Sequence, residues 1–200
     1  MNNPHTAKGD ALTSSTSSRI PAVLVLADGR TFRGYSFGAA GKALGEAVFT
    51  TAMTGYQETL TDPSFHRQIV VTTAPQIGNT GWNDEDHESR DGRIWAAGLV
   101  IRDLAHRVSN WRAQRTLTEE MEEQGLVGIR GVDTRALVRH LRDNGAQPAG
   151  IFTGENADRP LDALIAEVQA QPSMQGADLT GDVTTNEVYE VPAEGETRYT

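Results

Sequence analysis

The chain has 200 residues, 38% of them hydrophobic, which is enough for one domain with a substantial core. Its formal net charge is -9, and no basic run could neutralise a series of phosphates, so nucleic acid is not expected as a partner. The sequence has no cysteine, which excludes a thiolate nucleophile, a cysteine-ligated metal site and a disulfide framework.

The two ends of the chain are polar. Residues 1–19 are rich in Ser and Thr and contain too few apolar side chains to offset the entropy of ordering, so we expect a disordered extension. Residues 178–200 have the composition of a connector. The sequence shows neither the apolar core of a secretory signal nor a run of membrane-spanning length, which predicts a soluble, cytoplasmic protein without a membrane partner.

Strand-like runs dominate the first two thirds of the sequence. Val23–Leu26 and Thr31–Tyr35 flank an Asp-Gly pair, a pattern that is typical of a β-hairpin. The later runs are each bounded by Gly, Pro, Asp or Asn, and they are Ala47–Thr50, Gln68–Thr73, Ala97–Ile101 and Val127–Ile129. Several strands are therefore expected before the clearest helices.

The segment after Val132 has the strongest helical pattern. Asp133 is placed to cap its first turn, and Gly145 is placed to end it. Leu137 and Leu141 lie one turn apart, which predicts that they share a buried face. The arginines of the segment project elsewhere, and they are Arg135, Arg139 and Arg142.

Two shorter helices are predicted on either side of this segment. Leu117 to Gln124 has acidic residues in its first turn, with Thr118 as a candidate N-cap. The other helix begins at Pro160, a residue suited to a first turn, and ends near Pro172.

The run from Thr50 to Ser64 is crowded with hydroxyls and is the first candidate for a ligand-binding loop. Gly55 and the Asp62-Pro63 pair allow tight turns, so hydroxyl and backbone N–H groups could converge on one polar ligand. Ser64 would supply a neutral donor and acceptor. Composition alone favours another interpretation, in which the Ser and Thr side chains cap turns and helix ends.

A hydrolytic triad of Asp62, Ser64 and His66 is disfavoured, because crowding in sequence does not place three groups in catalytic geometry and no G-x-S-x-G motif is present. The run Asn83–Glu88 has ligand-type side chains but lacks the spacing of an EF-hand or of a zinc protease helix. We therefore expect an exposed acidic loop there and no metal site.

Two further groups of residues show no pattern of a nucleotide-binding or catalytic site. Gly38, Gly41 and Gly45 surround Lys42, but they match neither a P-loop nor a dinucleotide fingerprint, so ATP is not expected to bind this chain. The remaining histidines are isolated in the sequence and are interpreted as surface or packed residues: His5, His106 and His140.

A series of short motifs runs through most of the chain. The segments are Met53–Glu58, Leu60–Ser64, Gln68–Val70, Pro75, Ile77–Asn79, Asn83–Asp86, Glu88–Ser89, Gly98–Asp103, Ser109–Asn110, Val132–Leu137, Leu141–Arg142, Gly145–Ala146, Asp178–Leu179 and Val183–Thr185. In kind and order they resemble the small subunit of carbamoyl phosphate synthetase. The resemblance covers about residues 23–189, and the sequence departs from the family's first motif at Thr50 and Ala52.

This resemblance implies a mixed α/β fold, as a single compact swivelling β/β/α-type domain. It would occupy residues 20–152, after the disordered extension 1–19, with residues 153–200 forming a helix and a connector toward an amidotransferase domain. In the family that domain uses a Cys nucleophile with a His–Glu pair. This chain has no cysteine, so we expect it to be inactive alone and to contain no catalytic residue.

The family's role implies a scaffold and docking domain of a glutamine-hydrolysing ligase. The partners would be the large subunit, which uses ATP and Mg, and the chain's own C-terminal amidotransferase domain; the complex would feed arginine and pyrimidine biosynthesis. Ser64 occupies the position that contacts glutamine in the family. A stand-alone small-ligand or interaction module that uses the Thr50–Ser64 loop remains the alternative.

Overall fold

The computed structural model describes residues 19–185, 187–190 and 195. The predicted disordered extension thus lies outside the described residues, except for Arg19. Within these ranges, none of the helices is both long and apolar enough to span a membrane.

The described residues form a mixed α/β fold with nine strands and five α-helices. The strands are β1 (Pro21–Leu26), β2 (Thr31–Gly38), β3 (Lys42–Thr50), β4 (Gln68–Thr72), β5 (Gln76–Ile77), β6 (Gly98–Val100), β7 (Asp103–Leu104), β8 (Val127–Arg130) and β9 (Gln147–Thr153). The helices are α1 (Tyr56–Thr61), α2 (Leu117–Glu123), α3 (Thr134–Asn144), α4 (Leu161–Gln169) and α5 (Thr180–Val183). Two 3-10 helices cover Pro63–Phe65 and Gly154–Asp158.

Seven strands close into a barrel in the order β1-β2-β8-β6-β4-β3-β9. The pairs β3·β4, β4·β6 and β6·β8 are parallel, whereas the other four pairs of the barrel are antiparallel. The strands β5 and β7 form a separate two-stranded parallel sheet. The predicted hairpin is confirmed, with Gly29 at φ 86° in the turn between β1 and β2.

The uninterrupted apolar runs of β1 and β4 follow from burial on both faces of the barrel wall. Alternate residues Leu24 and Leu26 belong to the largest core cluster, whereas Val23 and Val25 pack with α4 on the outside. On β4, Ile69 and Val71 belong to that same largest cluster. Their neighbour Val70 packs with α1 and α2 in another core cluster. Burial of both faces removes the polar alternation that an exposed strand would show.

Helix α3 begins and ends as the sequence predicts. The Asp133 carboxylate accepts a hydrogen bond from the Ala136 backbone N–H at 3.0 Å, and Gly145 follows the last turn at φ 85°. Leu137 and Leu141 are both buried in the barrel core, which confirms the predicted face.

The predicted cap of α2 is wrong by two residues. Thr116, not Thr118, precedes the helix, and its hydroxyl accepts from the Glu119 backbone N–H at 3.2 Å. The Glu119 carboxylate in turn accepts from the Thr116 backbone N–H at 2.7 Å, which completes a capping box. Thr118 lies inside the helix and is buried.

Some elements were not predicted from the sequence. They include the strand β9, the first half of β3, the short strands β5 and β7, and the short helices α1 and α5. The helix predicted from Pro160 is present as α4, and it packs against β1 and β9. The predicted boundary at residue 152 stays a prediction.

Candidate functional site

The hydroxyl-rich run is a helix and two turns rather than one open loop. Gly55, at φ 79°, precedes α1 and adopts a left-handed conformation that glycine tolerates. Tyr56 and Leu60 are buried in a core cluster, so the helical part of the run packs against the barrel. The Thr59 hydroxyl donates to the Gly55 carbonyl four residues earlier at 2.9 Å, and no described side chain caps the start of α1. The capping interpretation holds at Thr50, whose hydroxyl accepts from the Ala52 backbone N–H at 3.2 Å.

Polar side chains of α1 anchor the segment that follows β5. The Tyr56 hydroxyl donates to the Gly81 carbonyl at 2.5 Å, and burial raises the pKa of Tyr56 to about 12. The buried Gln57 amide donates to the Asn83 carbonyl at 2.5 Å and accepts from the Asn83 N–H at 3.2 Å. These bonds give much of the motif Met53–Glu58 a structural role.

A cavity lies between this run and the segment Gln76–Thr80. One of its lining residues is Met53, whose side chain is largely exposed. Its volume is about 60 Å³, room for a few water molecules. Typical ligand pockets hold about 300–1,000 Å³, so this cavity is too small for an amino acid. Ser64 does not line it.

Ser64 lies on the exposed 3-10 turn that follows α1. The Asp62 carboxylate accepts from the Ser64 backbone N–H at 2.8 Å and caps this turn. The His66 Nε2 atom lies 3.3 Å from the Asp182 carboxylate, and its ring meets that of Trp95 edge-on. Asp62 and His66 thus have partners other than those of a Ser-His-Asp relay.

The acidic run Asn83–Glu88 is an exposed loop in its middle, as predicted, but Asn83 itself is buried. The Asn83 side-chain oxygen accepts from the N–H groups of Glu85 and Asp86 at 2.9 and 3.0 Å. Arg112 binds both of these carboxylates at 2.8 Å. Among the residues that the structure describes, no group of three or more His, Asp or Glu could hold a metal ion.

His140 is isolated in the sequence but has an acidic partner in the fold, as a packed residue at the protein surface. Its Nε2 atom lies 2.5 Å from the Asp28 carboxylate, which ties α3 to the turn between β1 and β2. Burial raises the pKa of Asp28, but the Arg30 backbone N–H and His140 outweigh it and lower that pKa overall. His106 is exposed, and His5 lies outside the described residues.

The glycines around Lys42 have structural roles. Gly38 ends β2, Gly41 lies in the following turn, and Gly45 lies within β3. The Lys42 ammonium pairs with Glu167 of α4 at 2.5 Å. The segment is thus a connection between two barrel strands.

Comparison with known proteins identifies one family. The profile described as "Carbamoyl-phosphate synthase small chain, CPSase domain" matches residues 24–151. A solved aminopeptidase from Aneurinibacillus sp. strain AM-1 aligns with a TM-score of 0.38 and 16% identity, over 68% of this chain and 31% of that chain. A likeness at that level carries no argument about the fold.

Curated relatives agree with the family profile, and three of them, all named carbamoyl phosphate synthase small chain, illustrate the match. The protein from Corynebacterium efficiens is 69% identical over 90% of this chain and 45% of its own length. The protein from Corynebacterium glutamicum is 68% identical over 90% of this chain and 46% of its own length. The one from Mycobacterium tuberculosis H37Rv is 63% identical over 87% and 46%. The chain spans about half the length of these relatives.

Proposed function

We propose a role for this chain from one premise: the chain belongs to the carbamoyl-phosphate synthase small chain family, as its N-terminal part. The role is that of a scaffold and docking domain in a glutamine-hydrolysing ligase complex. The complex makes carbamoyl phosphate from glutamine, bicarbonate and ATP in the cytoplasm, for arginine and pyrimidine biosynthesis. The swivelling β/β/α type of the domain is part of this proposal.

The observation that carries the proposal is the match of residues 24–151 to the family profile, together with identities of 69% and 68% to named small chains. The partners we propose are the large subunit, which uses ATP and Mg²⁺, and an amidotransferase domain that supplies the cysteine nucleophile. This chain has no cysteine, so thioester formation from glutamine requires that second domain.

Ser64 is the glutamine contact in this proposal. Its exposed position on a turn that Asp62 caps leaves the side chain able to reach a ligand held on a neighbouring domain. A hydroxyl suits a zwitterionic amino acid, because it donates and accepts without titrating near neutral pH. Ser64 would orient the substrate, while the amidotransferase domain cleaves it.

Binding to the two partners tests the proposal. The tagged chain is mixed with the large chain of Corynebacterium glutamicum and, separately, with the amidotransferase half of its small chain, and each mixture is analysed by size-exclusion chromatography. We expect co-elution with both, and each partner alone serves as the control. If the chain binds neither partner, the docking role is wrong.

The alternative, a stand-alone ligand-binding module at Thr50–Ser64, has weaker support. The cavity beside this run holds only about 60 Å³, and Ser64 lies outside its lining. Glutamine turnover by the chain alone, abolished by Ser64→Ala, would favour the alternative over docking.

A further inference from the structure

A larger concave surface, which we call the arginine groove, is lined by no residue of the Thr50–Ser64 run. Four arginines line it, namely Arg102, Arg135, Arg139 and Arg142, together with Thr73 and Thr134. Its volume is about 670 Å³, within the range of about 300–1,000 Å³ that small-molecule sites occupy. Size alone thus distinguishes the groove from the cavity beside α1.

The groove lies at the carboxyl ends of three parallel barrel strands. Thr73 follows the last residue of β4, Arg102 lies two residues beyond β6, and Thr134 follows the turn after β8. These strands pair in parallel, β4 with β6 and β6 with β8, so their carboxyl ends meet at one edge. In open α/β sheets, ligands bind outside the carboxyl ends of parallel strands; by analogy, this edge of the barrel is a suitable place for a ligand.

The positive charge of the groove is largely uncompensated. Within the described ranges, no carboxylate forms an ion pair with Arg102, Arg135 or Arg139, whereas Arg142 pairs with Asp143 at 3.0 Å. The carboxylates of Asp103 and Asp133 lie in the adjacent concavity that Arg102 also lines, and Asp133 keeps its charge while it accepts the N-cap bond of α3. Three arginines in one concavity, without an ion-pair partner among the described residues, create a local positive potential that attracts anions, although the net charge of the chain is -9.

The spacing of the arginines indicates the size of the ligand. Arg135, Arg139 and Arg142 follow one face of α3 over two turns, a rise of about 10 Å. One phosphate can be chelated by one or two guanidinium groups, and a longer anion is needed to contact all of them. We propose that the arginine groove binds a small molecule that carries at least two phosphate groups. This inference rests on the groove alone and not on the role proposed above.

Isothermal titration of the chain with sodium pyrophosphate tests the proposal. The variant Arg135→Gln/Arg139→Gln removes two charges from exposed positions and should leave the fold intact. We expect saturable binding to the unmodified chain, weakened roughly 10-fold to 100-fold in this variant, because hydrogen bonds to charged groups are lost.

The matched control is Arg33→Gln/Arg107→Gln, which removes the same charge from exposed positions outside the groove. Pyrophosphate affinity should change less than about twofold in this control, as expected for distant surface charges under screening. No saturable binding to the unmodified chain, or equal weakening in both variants, would overturn the proposal. Binding of a hexaglutamate peptide that is at least as tight as that of pyrophosphate would also overturn it, because the groove would then be a docking surface for acidic protein.

Discussion

The position of Ser64 is set by the residues around it rather than by its own side chain. The Asp62 carboxylate holds the Ser64 backbone N–H, and Arg67 follows at φ 61°, a conformation that non-glycine residues rarely adopt. The Arg67 carbonyl accepts from the Glu46 N–H at 3.0 Å, which fixes this turn to β3. Removal of the Ser64 hydroxyl should therefore leave the turn in place.

Ser64→Ala in an assembled glutamine-dependent enzyme should raise the KM for glutamine. One hydrogen bond to a charged ligand contributes about 1.5–3 kcal/mol, so the KM should increase roughly tenfold or more while kcat at saturating glutamine is retained. Steady-state kinetics with glutamine measure both constants. Ser109→Ala, at another exposed serine, is the control, and an unchanged KM in Ser64→Ala would count against the assignment of Ser64.

At the scale of elements, two threonines near the N-terminus of α2 have different roles, because Thr116 caps the helix and Thr118 does not. Thr116 takes part in the capping box, whereas the Thr118 hydroxyl is buried and has no hydrogen-bond partner among the described residues. An unsatisfied buried hydroxyl is unfavourable, and a satisfied cap is favourable. The two threonines should thus respond oppositely to loss of the hydroxyl.

Thr116→Ala should lower the free energy of unfolding by about 0.5–2 kcal/mol, as removal of an N-cap does. Thr118→Val, which keeps the side-chain shape, should leave that free energy unchanged or raise it slightly. Urea denaturation followed by circular dichroism measures both. Equal destabilisation by the two substitutions would show that the cap is not specific to Thr116.

The buried face of α3 gives a second prediction at this scale. Leu137→Ala or Leu141→Ala should destabilise the fold by about 2–5 kcal/mol, because each leaves a cavity in the barrel core. Thermal and urea unfolding measure the loss. Arg135→Ala, on the exposed face of the same helix, is the control and should change stability by less than about 0.5 kcal/mol. Comparable losses at exposed and buried positions would contradict the packing.

The elements that the sequence predicted are those whose local pattern agrees with their packing. The apolar run of β4 and the Leu137–Leu141 spacing of α3 are such cases, because burial and propensity favour the same structure. The strand β9 was missed because Pro148 and Gly150 lower its strand propensity. Gly150 nevertheless fits, since a Cβ there would lie 2.7 Å from the Phe152 ring. Tertiary pairing with β1 and β3 overrides the local preference.

The candidate sites were predictable to different degrees. The hydroxyl-rich run pointed to Ser64 only as one of several polar groups, and its assignment as the glutamine contact came from the resemblance to a family. The sequence shows three of the groove's arginines on one helix but not the groove itself, because Arg102 follows β6 and joins Arg135 only when β6 and β8 pair in parallel. Long-range strand pairing, which propensity does not encode, creates that site.

At the scale of the whole molecule, closure of the barrel is what joins these parts. The strand β9 lies between β1 and β3 and pairs with both, so it connects the N-terminal hairpin to the parallel strands. Across the interior, Ile151 of β9 faces Gly98 of β6, where a Cβ would lie 2.9 Å from the Ile151 Cδ1 atom. Glycine at position 98 thus leaves the space that the Ile151 side chain fills.

This fit predicts a favourable coupling between two strands that are not neighbours. Gly98→Ala should destabilise the fold by about 1–3 kcal/mol through overpacking, and Ile151→Val, which removes the Cδ1 atom, by about 0.5–1.5 kcal/mol. The double variant should lose less free energy of unfolding than the sum of the two, because the shorter side chain makes room for the new methyl group. Urea unfolding of the four proteins in the cycle measures the coupling. Additive losses would mean that the Ile151 Cδ1 atom does not limit the space at Gly98, and the proposed contact between β6 and β9 would be wrong.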